Sequence, residues 1–178
     1  SILFIPVGWS LLEDYQKLRI AGFLTPHSDP LGIGYNLIQS TIAIGSGQLW
    51  GRGLGQGTQS RLRFLPEYRT DFIFASIAEE MGFVGSSIIL FSYLFLLIYC
   101  LRVSWRASGS FGSLIAAGVS SQLLFQVFVN IGMNLGLLPI TGITLPLVSY
   151  GGSSLVATLI SFGFVSSVAK DEKKIDID

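Results

Sequence analysis

One cysteine and one histidine stand among the 178 residues, and only 12% of the chain is charged. Cys100 therefore has no internal disulfide partner, and with His27 it supplies too few ligands for a zinc site of the usual kind. The formal net charge is zero, which gives a nucleic-acid partner no electrostatic support. No GxGxxG or Walker spacing occurs, so neither common nucleotide-binding loop is supported. The chain also lacks an opening methionine, a basic start and a small-residue cleavage site. Its apolar residues 1–9 accordingly read as the truncated end of a membrane helix rather than a signal peptide, which makes the chain the C-terminal part of a longer protein.

What is abundant is apolar residues, at 50% of the chain with a mean hydropathy of +0.62. Soluble domains carry about 25% charged residues, so the shortage of charge points to lipid. Between Met81 and Ala169 the only charged side chains are Arg102 and Arg106. Three apolar runs, 83–101, 114–135 and 147–169, each match a bilayer core of about 30 Å at about 1.5 Å per residue. The expected fold is an all-α polytopic membrane protein, with three transmembrane helices, the end of a fourth at 1–9, and a large extracellular loop at 10–82 containing short helices.

Basic residues flanking short loops set the orientation. Arg102 and Arg106 lie in the 102–113 loop, and Lys170, Lys173 and Lys174 lie in the 170–178 tail, whereas the 136–146 loop has no basic residue. The first loop and the tail are thus expected in the cytoplasm, with 10–82 and 136–146 outside. Lys17, Arg19, Arg52, Arg61, Arg63 and Arg69 in the outer segment are no obstacle, because long loops translocate largely regardless of charge. Within that segment 11–20 suits an interfacial amphipathic helix, 23–34 a loop and 35–44 a short helix. Six glycines between Gly45 and Gly57 permit close approach to a ligand, or equally a tight connector.

The stretch RLRFLPEYRTDFIFASIAEEMG, 61–82, brings Arg61, Arg63, Glu67, Arg69, Asp71, Glu79 and Glu80 to the doorway of the first span. Its helix is expected to start near Thr70. Charges beside hydrocarbon usually face a cavity or pair with one another. Asp71, followed directly by Phe72, Ile73 and Phe74, invites partial desolvation and a pKa suited to a general base. A helix cap or an ion pair with Arg69 is the other reading. Glu79 lies two turns on, where it either joins Asp71 in acid/base or metal chemistry or sits as an interfacial pair with Glu80. The arginines suit a pyrophosphate, and equally anionic headgroups. In the loop LLPITGITLPLVSYGGSS, 137–154, Pro139, Gly142, Pro146, Gly151 and Gly152 break the apolar pattern, as the wall of a site would. Gly132 and Gly136 form a GxxxG pair, read as a helix contact.

Three parts of the chain together resemble the SEDS family (shape, elongation, division and sporulation). They are DPLGIGYNLIQSTIAIGSGQLWGRGLGQGTQSRLRFLPEYRTDFIFASIAEEMGFVG at 29–85, NIGMNLGLLPITGITLPLVSYGGSSL at 130–155, and the spans between and after them. The resemblance covers nearly the whole chain and implies about ten helices in the complete protein. This chain would hold the end of the seventh, the large outer loop and the eighth to tenth. It also implies peptidoglycan polymerisation from lipid II in the bacterial plasma membrane, with a class B penicillin-binding protein as partner. The family's essential acid falls in its TDF triplet, here Thr70, Asp71 and Phe72, which favours Asp71 as the catalytic residue. TQSRLRFLPE and FVNIGM are more similar to the RodA branch than to the FtsW branch, so elongation is favoured over division.

The expected chemistry has Asp71 as base or as holder of a divalent cation, Mg or Mn. Substrate contacts are expected from Arg61, Arg63, Glu67, Arg69, Glu79, Glu80, Ser149, Tyr150, Gly151 and Gly152. The alternatives are a lipid II flippase, which needs charged groups reachable from both sides, and a non-catalytic scaffold for the penicillin-binding protein.

Overall fold

The computed structural model describes residues 13–25, 33–61, 67 and 69–175. The 1–9 helix end and Arg63 lie outside these. The described residues form six α-helices and no strand: α1 (Asp14–Leu24), α2 (Ile33–Gly47), α3 (Thr58–Arg61), α4 (Ile73–Arg106), α5 (Ser110–Asn134) and α6 (Gly152–Ile175). Among them three are long and apolar enough to cross a membrane: α4, α5 and the Gly152–Lys170 part of α6. The polytopic all-helical architecture thus agrees with the hydropathy pattern.

α4 is the central strut, packed against α2, α5 and α6. Its 34 residues make a rod of about 50 Å, much longer than the roughly 30 Å of hydrocarbon. The run 83–101 is therefore only its membrane-sized part. The residues before it, rich in Ala, Glu and Met, favour helix as strongly as the apolar run does. Gly82 divides the two, with φ 66° and ψ −162° inside the helix. There the helical hydrogen-bond ladder lapses, and the turn after α2 repairs it. Arg52 and Gly53 donate their backbone N–H groups to the carbonyls of Glu79 and Glu80, both at 3.0 Å. Phe83 N–H donates to Gln48 O at 2.8 Å, and Val84 N–H to Leu49 O at 3.2 Å.

This backbone junction accounts for the best-packed glycines of the glycine-rich run. A Cβ on Gly47 would lie 1.8 Å from Ala78 O, one on Gly51 2.2 Å from Glu80 O, and one on Gly82 2.3 Å from Gly51 N. Two main chains touch here, and no side chain fits between them.

α4 and α5 are joined by a short turn closed by reciprocal bonds, Ser104 Oγ to Ser113 O at 3.0 Å and Ser113 Oγ to Ser104 O at 2.8 Å. The GxxxG pair serves the end of α5 rather than a long helix–helix stripe. Gly136 takes φ +74° as the chain leaves the helix beside Leu37 and Thr41 of α2, and Gly132 makes room for Leu138 folding back over it. α6 begins at Gly152 rather than 147, because Leu147 at φ 64° and the bonds from Val148 and Ser149 N–H to Leu145 O form a turn. One core cluster, Phe74, Tyr93, Leu123 and Leu145, joins α4, α5 and this turn; a second, Cys100, Val103, Ala116 and Val165, joins the other ends of α4, α5 and α6. The spans meanwhile turn Phe91, Phe95, Phe125, Phe128 and Phe164 outward, the reverse of a water-soluble bundle.

In the full-length protein, Gly51→Ala and Gly82→Ala are each expected to lower stability by more than about 2 kcal/mol, since strained backbone alone costs 1–3 and a main-chain atom occupies the Cβ position. Gly45→Ala, with open space at its Cβ, is expected to be neutral or stabilising by up to about 1 kcal/mol. Thermal unfolding in detergent separates the two classes.

Candidate active site around Asp71

Residues 69–72 form a turn leading into α4. Thr70 and Phe72 N–H donate to Glu67 O at 3.1 and 3.3 Å, and Thr70 Oγ1 donates to the Glu67 carboxylate at 3.0 Å. Glu67 itself has φ 52°, a left-handed conformation uncommon for a residue with a side chain. A turn like this holds only if other segments brace it.

Two segments supply the bracing. From the loop before α6, Ser149 Oγ donates to Thr70 O at 2.6 Å and accepts Leu145 N–H at 2.8 Å, while Tyr150 N–H donates to Arg69 O at 2.8 Å. That loop is in turn tied to α4 by a hydrogen bond from the Tyr93 hydroxyl to Pro146 O. From α5, Asn130 and Asn134 both donate to the backbone carbonyl of Asp71, at 3.1 and 3.0 Å. Both asparagines are fully buried. Asn130 Nδ2 also donates to Ile143 O at 2.7 Å, and Asn134 Oδ1 accepts Ala75 N–H at 3.2 Å. Ser40 of α2 completes the buried polar cluster by donating to Asn134 O at 2.8 Å.

The Asp71 carboxyl is half-buried and lies against the loop before α6, where a Cβ on Gly142 would be 3.6 Å from its Oδ2. Burial raises its pKa above the ordinary carboxylate range, and the neighbouring Glu67 charge raises it further, while Arg19 pulls the other way. Arg19 reaches over from α1, donating through Nη1 to Ile140 O at 3.2 Å and Thr141 O at 2.9 Å. A partly desolvated carboxylate thus stands beside a guanidinium and a glycine-walled loop.

Asp71, Glu67, Arg69, Ser149 and Tyr150 are therefore gathered in one place. Gly151 and Gly152 open α6, with Gly151 O accepting Leu155 N–H at 3.0 Å. Arg61 ends α3. Glu79 does something else: fully buried, it accepts Thr58 Oγ1 at 3.1 Å and Gln59 N–H at 2.9 Å, holding α3 to α4. Glu80 lends its carbonyl to the Gly82 junction. Among the described residues no three of His, Cys, Asp or Glu gather as a metal cage. Asp71 and Glu67 could still serve a magnesium-like ion in the manner usual for it, one or two carboxylates plus substrate phosphates.

Sequence reading passed over Arg19, Asn130 and Asn134. Arg19 looked like one polar residue of an amphipathic helix. The asparagines did carry a signal, since amides spaced four apart in an apolar span share a helix face and seldom lack partners.

The fold and site define a multi-pass membrane protein with a partly desolvated acid, Asp71, at the end of its helix bundle. Residues 1–174 match the model of the FtsW/RodA/SpoVE family, described as cell cycle proteins. The chain belongs to that family. It is 51% identical over 173 residues to the peptidoglycan glycosyltransferase MrdB of Escherichia coli K12, covering 97% of this chain and 47% of that protein. It is 46% identical over 164 residues to stage V sporulation protein E of Bacillus subtilis 168, covering 92% and 44%. Over 162 residues it is 46% identical to the peptidoglycan glycosyltransferase RodA of Treponema pallidum Nichols, covering 91% and 37%. A chain from a solved structure, described as showing the structural coordination of polymerization and crosslinking by a peptidoglycan synthase complex, superposes with a TM-score of 0.75 at 36% identity. That match covers 96% of this chain and 47% of the other. The chain spans less than half the length of these relatives. Its family and the three membrane-sized helices among its described residues mark it as a multi-pass inner-membrane protein.

The raised pKa of Asp71 has a consequence for stability. The folded state holds the proton more tightly than the unfolded chain, so stability falls as pH rises from the ordinary carboxylate range to the raised value. Above it the charged side chain opposes folding. In the full-length protein, Asp71→Asn is expected to melt at the same temperature as wild type or higher at pH 7, with any gap closing as the pH falls into the ordinary carboxylate range. A markedly lower melting temperature at pH 7 would mean that the carboxylate is a stabilising ion-pair partner instead.

Proposed function

We propose that this chain is the acid-bearing C-terminal part of a glycosyltransferase that polymerises lipid II into glycan strands. The observation that carries the reading is the Asp71 carboxylate, half-buried and raised in pKa, on a turn whose backbone is braced by two separate segments. The names of the relatives support the activity.

In this reading the sugar 4-hydroxyl of one lipid II attacks the anomeric carbon of another. A carbon–oxygen bond forms there with inversion, the bond to the pyrophosphate oxygen breaks, and undecaprenyl pyrophosphate leaves with its electron pair. Asp71 takes the hydroxyl proton, for which a raised pKa is suited. Arg19 and Arg69 stand near enough to the Asp71 turn to offset charge growing on the pyrophosphate. A divalent cation, if used, would be held by Asp71 and Glu67 and would supply further charge neutralisation. A class B penicillin-binding protein is the expected partner, in agreement with the synthase complex to which the fold is similar. Similarity to the RodA branch favours cell elongation.

A positioned base contributes about 10²- to 10⁴-fold. Asp71→Asn in the full-length protein with its partner is therefore expected to lose at least 99% of polymerisation of labelled lipid II, as that factor implies, with insertion and partner binding retained. Activity above roughly a third of wild type per folded molecule, far beyond what loss of a base permits, would instead favour a scaffold role. Wild-type kcat should fall with decreasing pH along a limb lying above the ordinary carboxylate range, because the base works only when deprotonated.

The orientation proposed here rests on Arg102, Arg106 and the lysines Lys170, Lys173 and Lys174 at the end of α6, which favour an outer position for the Asp71 end. Cysteines introduced singly into a cysteine-free full-length protein should react with an impermeant reagent in spheroplasts at Gln56 and not at Ser108. The opposite pattern would put the site on the cytoplasmic face, where polymerisation of exported lipid II is impossible.

A further inference from the structure

An α-helix would bond Ala75 N–H directly to the carbonyl of Asp71, four residues back. Here the Asn134 carboxamide stands between them, giving its N–H to Asp71 O at 3.0 Å and accepting Ala75 N–H on Oδ1 at 3.2 Å. A side-chain amide has the donor and acceptor of a peptide group and so stands in for the missing link. Asn130 adds a second donor to the same carbonyl and binds Ile143 O, the neighbour of Gly142. One side chain thus ties the Asp71 turn to the loop wall facing its carboxylate.

We propose that Asn134 and Asn130 are positioning residues for the reaction, keeping Asp71 out of the helix it would otherwise join and in register with the Gly142–Ile143 wall. This inference rests on Asp71 being the base. A third buried group, Ser40 Oγ, donates to the Asn134 main-chain carbonyl at 2.8 Å and reaches its Oδ1 at 3.4 Å, and Asn134 Nδ2 donates to the Asn130 main-chain carbonyl at 2.8 Å, so the Asn134 amide is itself held in one orientation. An aliphatic residue at 134 allows Asp71 O and Ala75 N–H to bond directly. The carboxylate turns with the new helical residue, and the contact of Asn130 Oδ1 with the Asn134 amide is lost.

The test uses the full-length protein with its penicillin-binding partner, polymerising labelled lipid II. Asn134→Ala is compared with Leu123→Ala, a core truncation between α4 and α5 matched for loss of melting temperature. Asn134→Ala is expected to lower kcat per folded molecule roughly 10- to 100-fold, the scale of a misplaced catalytic group. KM should stay close to wild type, and the acidic limb of the kcat–pH profile should move, because the carboxyl changes its surroundings. Leu123→Ala should keep wild-type kcat per folded molecule and the wild-type limb. The inference is overturned if Asn134→Ala behaves as Leu123→Ala does. Should Asn134→Ala not be recovered folded, Asn130→Ser, which is too short to reach both carbonyls, decides by the same criterion. Asp71→Asn in the same assay separates the two claims. If it is inactive while the asparagine variants keep full kcat, only the positioning role fails; if it is active, the base assignment fails and takes this inference with it.

Discussion

A peptide group that leaves its helix inside a packed, apolar bundle must find a partner in another segment, because water is not there to supply one. α4 leaves regular helix twice, and each departure is answered from far along the chain. At Gly82 the answer is backbone, the turn after α2 laid against it with glycines at the contact. At the Asp71 end the answer is side chains, two amides from α5 and a hydroxyl from the loop before α6. The candidate site takes its form from the second repair, which leaves the Asp71 carboxylate just outside the helix rather than within it.

That arrangement links stability to chemistry. Fully buried amides are costly unless every donor and acceptor is paired, so Asn130 and Asn134 tolerate few substitutes. Asp71 is treated differently, since its backbone is held and its carboxyl is left half-buried, opposed by Glu67 and aided by Arg19. A charge kept under such conditions carries a cost in stability, the usual mark of a group retained for function. Glu79 makes the contrast clear: an equally suggestive carboxylate in the same motif accepts from both Thr58 and Gln59 on its Oε1 and joins α3 to α4.

Membrane-sized runs and the scarcity of charge were legible in the sequence because hydropathy and length are sums over neighbouring residues. The partial burial of Asp71 was legible too, from an acid set against Phe72, Ile73 and Phe74, and the resemblance of its triplet to the family motif made it the candidate. The ends of the helices were less so. α4 begins well before its apolar run because Ala, Glu and Met continue the helix outside hydrocarbon as readily as Leu does within it. α6 starts later than its apolar run because Leu147 is turned into a left-handed conformation by bonds to its own loop.

Only tertiary structure could assign partners to the polar groups. Ser149 and Thr70 are 79 residues apart in the chain, and Asn134 and Asp71 are 63 apart. Whether an asparagine in a span meets another helix, a carbonyl or a cavity depends on how the helices cross, and no local pattern encodes that crossing. Composition and periodicity therefore determined that this is a membrane bundle with an acid at one end. Packing decided which acid keeps a half-exposed carboxyl and which becomes a joint, because a hydrogen bond is made by geometry between distant residues rather than by the identity of either one.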